Sequence, residues 1–185
     1  KNVISFTEYD STRFQRMLYT WNMSEGVQYE DGHAYSGDIT NTSVSKVSDS
    51  TLYNYEGGQY LVTSLNVLAR AKEYSDLITY NEPGNPASGV ESYLDILSFT
   101  RYDSSKFQKM MYTWNMESGT MYDAAETYSG DVSDTTLYDY AGGQYLASSI
   151  SVYGRAETYD ELITYNTPQD PQSGVASYID VLSFT

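Results

Sequence analysis

The sequence predicts an all-β protein built from two tandem, similar units of the β-sandwich or jelly-roll type, which arise from an internal duplication. Three observations support this fold class. The two halves of the chain repeat one another, apolar and polar residues alternate in short runs, and clusters rich in Gly, Pro and Asn separate those runs. Six or seven short strands in each unit of about 90 residues are typical of a sandwich.

The internal repeat is the strongest of these signals. Two segments of the first half align without gaps to two segments of the second half, and roughly 60 % of the aligned positions are identical. The aligned pairs are residues 4–38 with 97–131 and residues 47–100 with 132–185. Residues 39–46 have no counterpart in the second copy, so we expect them to form an exposed loop.

The predicted domains are a first repeat, residues 1–96, and a second repeat, residues 97–185. The tripeptide Ser-Phe-Thr follows an aliphatic residue three times, at residues 4–7, 97–100 and 182–185. One strand-like element thus occurs near both ends of the sequence and in its middle. Two interpretations stay open: either units of an array can receive this strand from a neighbour, or each unit ends in its own strand and the first copy is a linker.

The longest predicted strand has apolar residues that fit both a helix and a strand in the first repeat, but only a strand in the second. Residues 59–71 fit a helix or a strand, but the matching residues 144–156 contain Gly154 together with several Ser and β-branched residues, which favours a strand. The Gly pairs at residues 57–58 and 142–143 predict hairpin turns before these strands. The Gly-x-Tyr step that follows is similar to strands of jelly-roll carbohydrate-binding modules and of C1q-like domains, a resemblance that implies no particular functional residue.

Shorter alternating runs predict further strands at residues 17–23 and 93–99. Clusters at residues 81–86 and 166–171 contain two prolines each, and proline continues neither a helix nor a central strand. These clusters therefore predict turns between short strands in both repeats.

The composition limits the classes of partner. The formal net charge is −15, from 25 acidic and 10 basic residues. Nucleic acids and anionic membranes are not expected as partners, because binding to both depends on clustered Lys and Arg. Apolar runs are far shorter than the roughly 20 residues that cross a bilayer, so no membrane insertion is expected. The chain has no Cys, which excludes disulfides and thiol chemistry.

Catalysis is not expected. The sequence contains no GxSxG elbow, HExxH helix, P-loop or GxGxxG motif. The single histidine, His33, aligns with Glu126, so the two repeats share no histidine. Acidic residues are shared, and a pair of carboxylates can serve a glycosidase, but acids in strands and turns are more often caps or ion-pair partners.

Aspartates define a candidate calcium site in each repeat. Asp131 and Asp134 lie close together in a Ser-Gly-Asp-Val-Ser-Asp segment, and oxygen-rich loops of this kind suit calcium. Their counterparts are Asp38 and Asp49, which the extra residues 39–46 separate. The alternative is a plain Asx-type turn without a metal. Calcium is the one cofactor that the sequence suggests.

Aromatic residues are the better functional lead, since the chain contains 21 tyrosines and two matched tryptophans. Tyrosine combines a large apolar ring with a hydroxyl group, which suits interfaces and sugar stacking but also half-buried sheet positions. The candidate ligand-binding residues are three from each repeat: Tyr19, Trp21, Tyr35, Tyr112, Trp114 and Tyr128.

The preferred hypothesis is a non-enzymatic structural or adhesive repeat module of a surface or extracellular matrix or filament protein, which associates with itself or with neighbouring repeats. The alternative is a lectin-like module that binds glycans through exposed Trp, Tyr and Asp. Exposure of the matched aromatic residues distinguishes them: buried rings favour the structural role, and exposed rings beside a carboxylate favour glycan binding.

Overall fold

The computed structural model describes residues 3–24, 47–128 and 130–185. The expected loop at residues 39–46 lies outside these ranges. Within them the chain forms thirteen β-strands, four short 3₁₀ turns and no α-helix, which confirms the all-β prediction. The strands are β1 (Ser5–Tyr9), β2 (Met17–Met23), β3 (Val47–Asn54), β4 (Thr63–Leu68), β5 (Ile78–Tyr80), β6 (Val90–Tyr93), β7 (Ile96–Tyr102), β8 (Met110–Met116), β9 (Val132–Asp139), β10 (Ser148–Tyr153), β11 (Ile163–Tyr165), β12 (Val175–Tyr178) and β13 (Val181–Phe184).

Nine of these strands form one antiparallel sheet. Their order is β1-β2-β3-β4-β7-β8-β9-β10-β13, while β5 pairs with β6 and β11 pairs with β12 in two separate hairpins. Strand β7 pairs with β4 on one side and with β8 on the other, so it spans the predicted boundary at residues 96 and 97. One sheet thus continues across both predicted units, and the expected sandwich arrangement is not confirmed.

One face of the large sheet is apolar. Alternation along β2 points Tyr19 and Trp21 to this face, and cross-strand pairing places Leu52 opposite Tyr19. The same row of side chains continues through β4 and β7, where Leu65 lies opposite Phe99. Both repeats contribute to a single buried cluster, so the apolar face runs without interruption from β2 to β10.

The opposite face is polar and carries chains of hydroxyl and amide groups. Thr7, Thr20 and Tyr53 are linked through their side-chain oxygens across β1, β2 and β3. In the second repeat Thr100 and Thr113 form the matching pair, at 2.9 Å between their Oγ1 atoms. Cross-strand polar pairs of this kind stabilise a face that is open to water.

The two small hairpins cover the apolar face. After β4 the chain turns at Ala69, whose φ of 68° ends the strand, and Gly154 has the same φ of 68° after β10. Leu77, at the end of a 3₁₀ turn, is fully buried in the core, and its carbonyl accepts a hydrogen bond of 2.9 Å from Leu94 N. Because β4 begins at Thr63 and ends at Leu68, the strand predicted for residues 59–71 is shorter than expected.

No helix in the described part of the chain is long and apolar enough to cross a membrane.

Candidate functional site

The described aromatic candidates lie in the core. Tyr19, Trp21, Tyr112, Trp114 and Tyr128 are all buried, and both tryptophans are almost completely inaccessible to solvent. The rings contact one another, with centroid distances of 4.8 Å for Tyr19 with Trp21 and for Tyr112 with Trp114. In this structure none of these five rings offers an open stacking surface to a sugar. Tyr35, the sixth candidate, lies outside the described residues.

Each tryptophan is held by a polar contact and by a cation. The Trp21 indole N–H donates a 2.7 Å hydrogen bond to the carbonyl of Ala71. Trp114 makes the equivalent 2.8 Å bond to Ala156, and the Arg155 guanidinium carbon lies 4.3 Å from its ring centroid. Buried tryptophan requires such a partner for its N–H, so these contacts fix the ring and join the covering loop to the sheet.

The described aspartate candidates for calcium are Asp49, Asp131 and Asp134. Asp49 accepts hydrogen bonds from Asn22, Asn66 and Ser48. Asp134 accepts bonds from Asn115 and Ser133. The main-chain carbonyl of Asp131 accepts a 2.7 Å hydrogen bond from Glu117 N.

The carboxylates of Asp49 and Asp134 are engaged by asparagine amides on neighbouring strands and by the serine hydroxyl that precedes each of them, as in an ordinary polar network. Asp38 is outside the described residues. Among the residues that the structure describes, no group of three His, Cys, Asp or Glu is placed to hold a metal ion.

The junction between the repeats is the site that combines the most varied chemistry. We use "junction" for the pairing of β4 with β7 together with the side chains around the end where Thr63 lies opposite Arg101. There Tyr74 of the first repeat contacts Tyr122 of the second, with ring centroids 5.5 Å apart. At that end Arg101 lies 3.8 Å from both Glu56 and Glu126. A tyrosine pair and a charged triad thus connect the two repeats.

Burial changes the acidity of groups at the junction. Burial raises the pKa of Tyr74 to about 12. Burial also raises the pKa of the Glu126 carboxyl, and the opposing effect of the Arg101 charge is smaller. Each group therefore keeps its proton to a higher pH than it would in water.

An open groove of about 790 Å³ adjoins the junction. Its lining includes two basic residues, an acid and three tyrosines: Arg70, Lys72, Asp76, Tyr74, Tyr80 and Tyr122. Aromatic rings next to charged and hydroxyl groups are the chemistry that a polar, ring-containing ligand such as a glycan requires. None of these residues belongs to the six aromatic candidates that the sequence pattern suggested.

Sequence differences between the repeats mark the junction. At most aligned positions the repeats are alike, but Arg101 aligns with Glu8 and Glu56 aligns with Ala141. A pair of charge changes at contacting positions is a signal that sequence comparison of the two halves can find. In comparisons with protein-family profiles, curated proteins and solved structures, nothing matched this chain.

Proposed function

We propose that this chain is a structural or adhesive module of a surface or extracellular matrix protein, in which tandem repeats created by duplication extend one continuous sheet. The observation that carries the proposal is the double pairing of β7, which is the last strand added to the first repeat and the first strand of the second. Each repeat therefore completes the sheet and core of its neighbour, which is how repeat proteins build long load-bearing or scaffolding structures.

Charge and burial support the same function. The matched tryptophans and most of their aromatic neighbours are used for packing, which favours a structural role over binding. The net charge of −15 keeps such a module soluble and discourages unspecific contacts with nucleic acids.

The two tryptophans provide the test, because one lies in each repeat. In the Trp114→Phe variant, Trp21 is the only tryptophan and reports on the first repeat, while the substitution damages the core of the second. We expect the substitution to lower the free energy of unfolding by about 1–3 kcal/mol. We also expect Trp21 fluorescence and far-UV circular dichroism to show one coincident urea transition. Trp21→Phe, which leaves Trp114 as the reporter, is the reciprocal control. A Trp21 signal that keeps the wild-type midpoint in Trp114→Phe would show two independent domains and contradict the proposal.

A glycan-binding module is the second candidate, and the groove beside the junction is the observation that favours it. In this form the ligand contacts are Tyr74, Tyr80 and Tyr122 in place of the buried rings. Binding of the chain to immobilised polysaccharides, lost in Tyr80→Ala with an unchanged unfolding midpoint, would support this candidate. Retention of the wild-type chain on none of a broad panel of polysaccharides would remove it.

A further inference from the structure

The junction inside the chain buries a surface that recurs, exposed, after the second repeat. At the junction Leu61, Ile96 and Phe99 are only 4 %, 1 % and 2 % exposed. Their counterparts Leu146, Val181 and Phe184 are 50 %, 56 % and 71 % exposed. Matched apolar residues are thus buried between the two repeats and exposed at the end of the second repeat. Val181 and Phe184 belong to β13, so their exposure shows that β13 is less buried on β10 than β7 is on β4, and the exposed Leu146 is apolar surface that a further repeat can cover.

The outer edge of β1 matches this surface. Strand β1 aligns with β7, which lies against β4 at the junction, and β10 aligns with β4. The junction register, transferred to β1 and β10, pairs Ser148 with Glu8, Ser149 with Thr7, Ile150 with Phe6, Ser151 with Ser5, and Val152 with Val3. Since β1 pairs only with β2 within the described chain, its other edge is free to make these bonds with another copy.

Two side-chain contacts of the junction have partners available on β1 and its turn. Tyr102 contacts Ser64 through its hydroxyl, and Gln108 accepts a 3.1 Å hydrogen bond from Leu61 N. The matching residues of the first repeat are Tyr9, which is more than half exposed, and Gln15. They would meet Ser149 and Leu146 N of another copy.

Strand β13 now occupies the β10 edge. Its register with β10 comprises three residue pairs, extended by hydrogen bonds of Ser149 with Thr185 and of Tyr153 with Asp180, whereas β4 and β7 share five pairs at the junction. Phe184 of β13 is largely exposed, while Phe6 of β1 packs on Trp21 with centroids 5.5 Å apart. A copy that brings β1 together with its own β2 and the turn after β1 would also cover Leu146, which is 50 % exposed beside β13.

The charges at the two ends are compatible with this contact. Inside the chain, Arg101 lies near the acid Glu56. Between copies, Glu8 takes the place of Arg101, and the place of Glu56 is taken by the neutral Ala141. Because Ala141 is neutral, Glu8 does not meet the acidic charge that Glu56 provides at the matching position of the first repeat.

We propose that copies of this chain associate head to tail, with β1 of one copy replacing β13 on the β10 edge of another. This inference rests on the proposed structural function and names its partner as a second copy of the same repeat. The contact joins different surfaces of the two copies, so it produces open filaments, or rings where the rotation between copies closes, rather than two-fold dimers. Because each copy carries a charge of −15, added salt strengthens the association by screening.

Sedimentation velocity of the full chain over a wide concentration range tests the proposal. We expect a series of oligomers that grows with concentration and with salt. Leu146→Asp places a charge in the proposed contact and should weaken association about tenfold or more. Met111→Asp is the matched control, since Met111 is 44 % exposed on β8, away from both sheet edges, and should leave association unchanged. Phe184→Asp should also leave it unchanged or strengthen it, because β13 is displaced.

Three results would overturn the proposal. A monomer at all concentrations removes it, and in that case a coincident unfolding transition would still leave the proposed function in place. Weaker association in Phe184→Asp would show that β13 stays on β10 and joins the copies itself. Weaker association in Met111→Asp would show that the copies pack through the faces of the sheet.

Discussion

Both tryptophans and three tyrosines, Tyr19, Tyr112 and Tyr128, are packing residues of the core. Trp21 and Trp114 each donate their indole N–H to a carbonyl of the covering loop and contact a neighbouring tyrosine ring. The structure places five of the six aromatic candidates in the core. Sequence alternation correctly located Tyr19 and Trp21 on a strand, but it does not tell which face of a sheet is covered by other parts of the chain.

Buried tyrosines make stability depend on alkaline pH. Burial raises the pKa of Tyr112 to about 12, and burial also raises the pKa of Tyr74 to about 12. The unfolded chain loses these protons near pH 10, before the folded chain does. The stabilisation is therefore complete below about pH 10 and is lost as the pH rises toward about 12.

This dependence can be measured by urea unfolding at several pH values between about 9 and 12, together with phenolate absorbance. We expect the free energy of unfolding to fall over this range, with a shallower fall in Tyr112→Phe because one buried phenol is gone. Phenolate absorbance should show a late group of tyrosines that ionises as the chain unfolds. Ionisation of all 21 tyrosines in one step near pH 10, with native circular dichroism, would contradict this account.

At the scale of single elements, identical sequence gives different burial. The segment Gly-Gly-Gln-Tyr-Leu occurs at residues 57–61 and at residues 142–146. Leu61 is buried because β7 and the turn after it cover this end of β4, whereas Leu146 has no such cover. The neighbour, and not the local sequence, decides whether the leucine belongs to the core.

A pair of alanine substitutions measures this difference within one chain. We expect Leu61→Ala to lower the free energy of unfolding by about 2–4 kcal/mol, because it leaves a cavity at the junction. Leu146→Ala, the same change at the matching position, should cost less than about 1 kcal/mol. Urea unfolding of both variants at low protein concentration provides the comparison. Equal costs would show that the junction does not bury Leu61 in solution.

The element boundaries show what the pattern could and could not predict. Alternation identified β2, β4 and β10 as strands, and the Gly pairs predicted turns before β4 and β10, where the structure has them. Strand β4 ends early because Ala69 adopts a left-handed φ. In the sequence, the only sign of this conformation is the glycine at the aligned position, Gly154. The covering hairpins β5–β6 and β11–β12 appeared in the sequence as Pro-containing turn clusters, so their role as the second layer was missed.

At the scale of the whole molecule, the sheet is the common element of the two repeats. Its nine strands place β1 and β13 roughly 38 Å apart along the direction of strand pairing, and one core cluster follows the sheet through both repeats. A sandwich was expected because short alternating strands are typical of sandwiches. The same pattern also fits an open sheet. Only long-range pairing separates these two folds, and alternation contains no information about it.

Continuity of the sheet through β4 and β7 is the central claim, and a cross-strand disulfide tests it most directly. The chain has no Cys, so Ser64→Cys with Thr100→Cys introduces one pair at positions that lie opposite each other on the polar face. We expect this pair to form an intramolecular disulfide on mild oxidation with unchanged circular dichroism, since opposite residues have Cβ atoms about 5 Å apart. Ser64→Cys with Thr113→Cys, one strand further away, should stay reduced in the monomer. Failure of the first pair to cross-link, or equal cross-linking of both pairs, would contradict a sheet that runs from one repeat into the next.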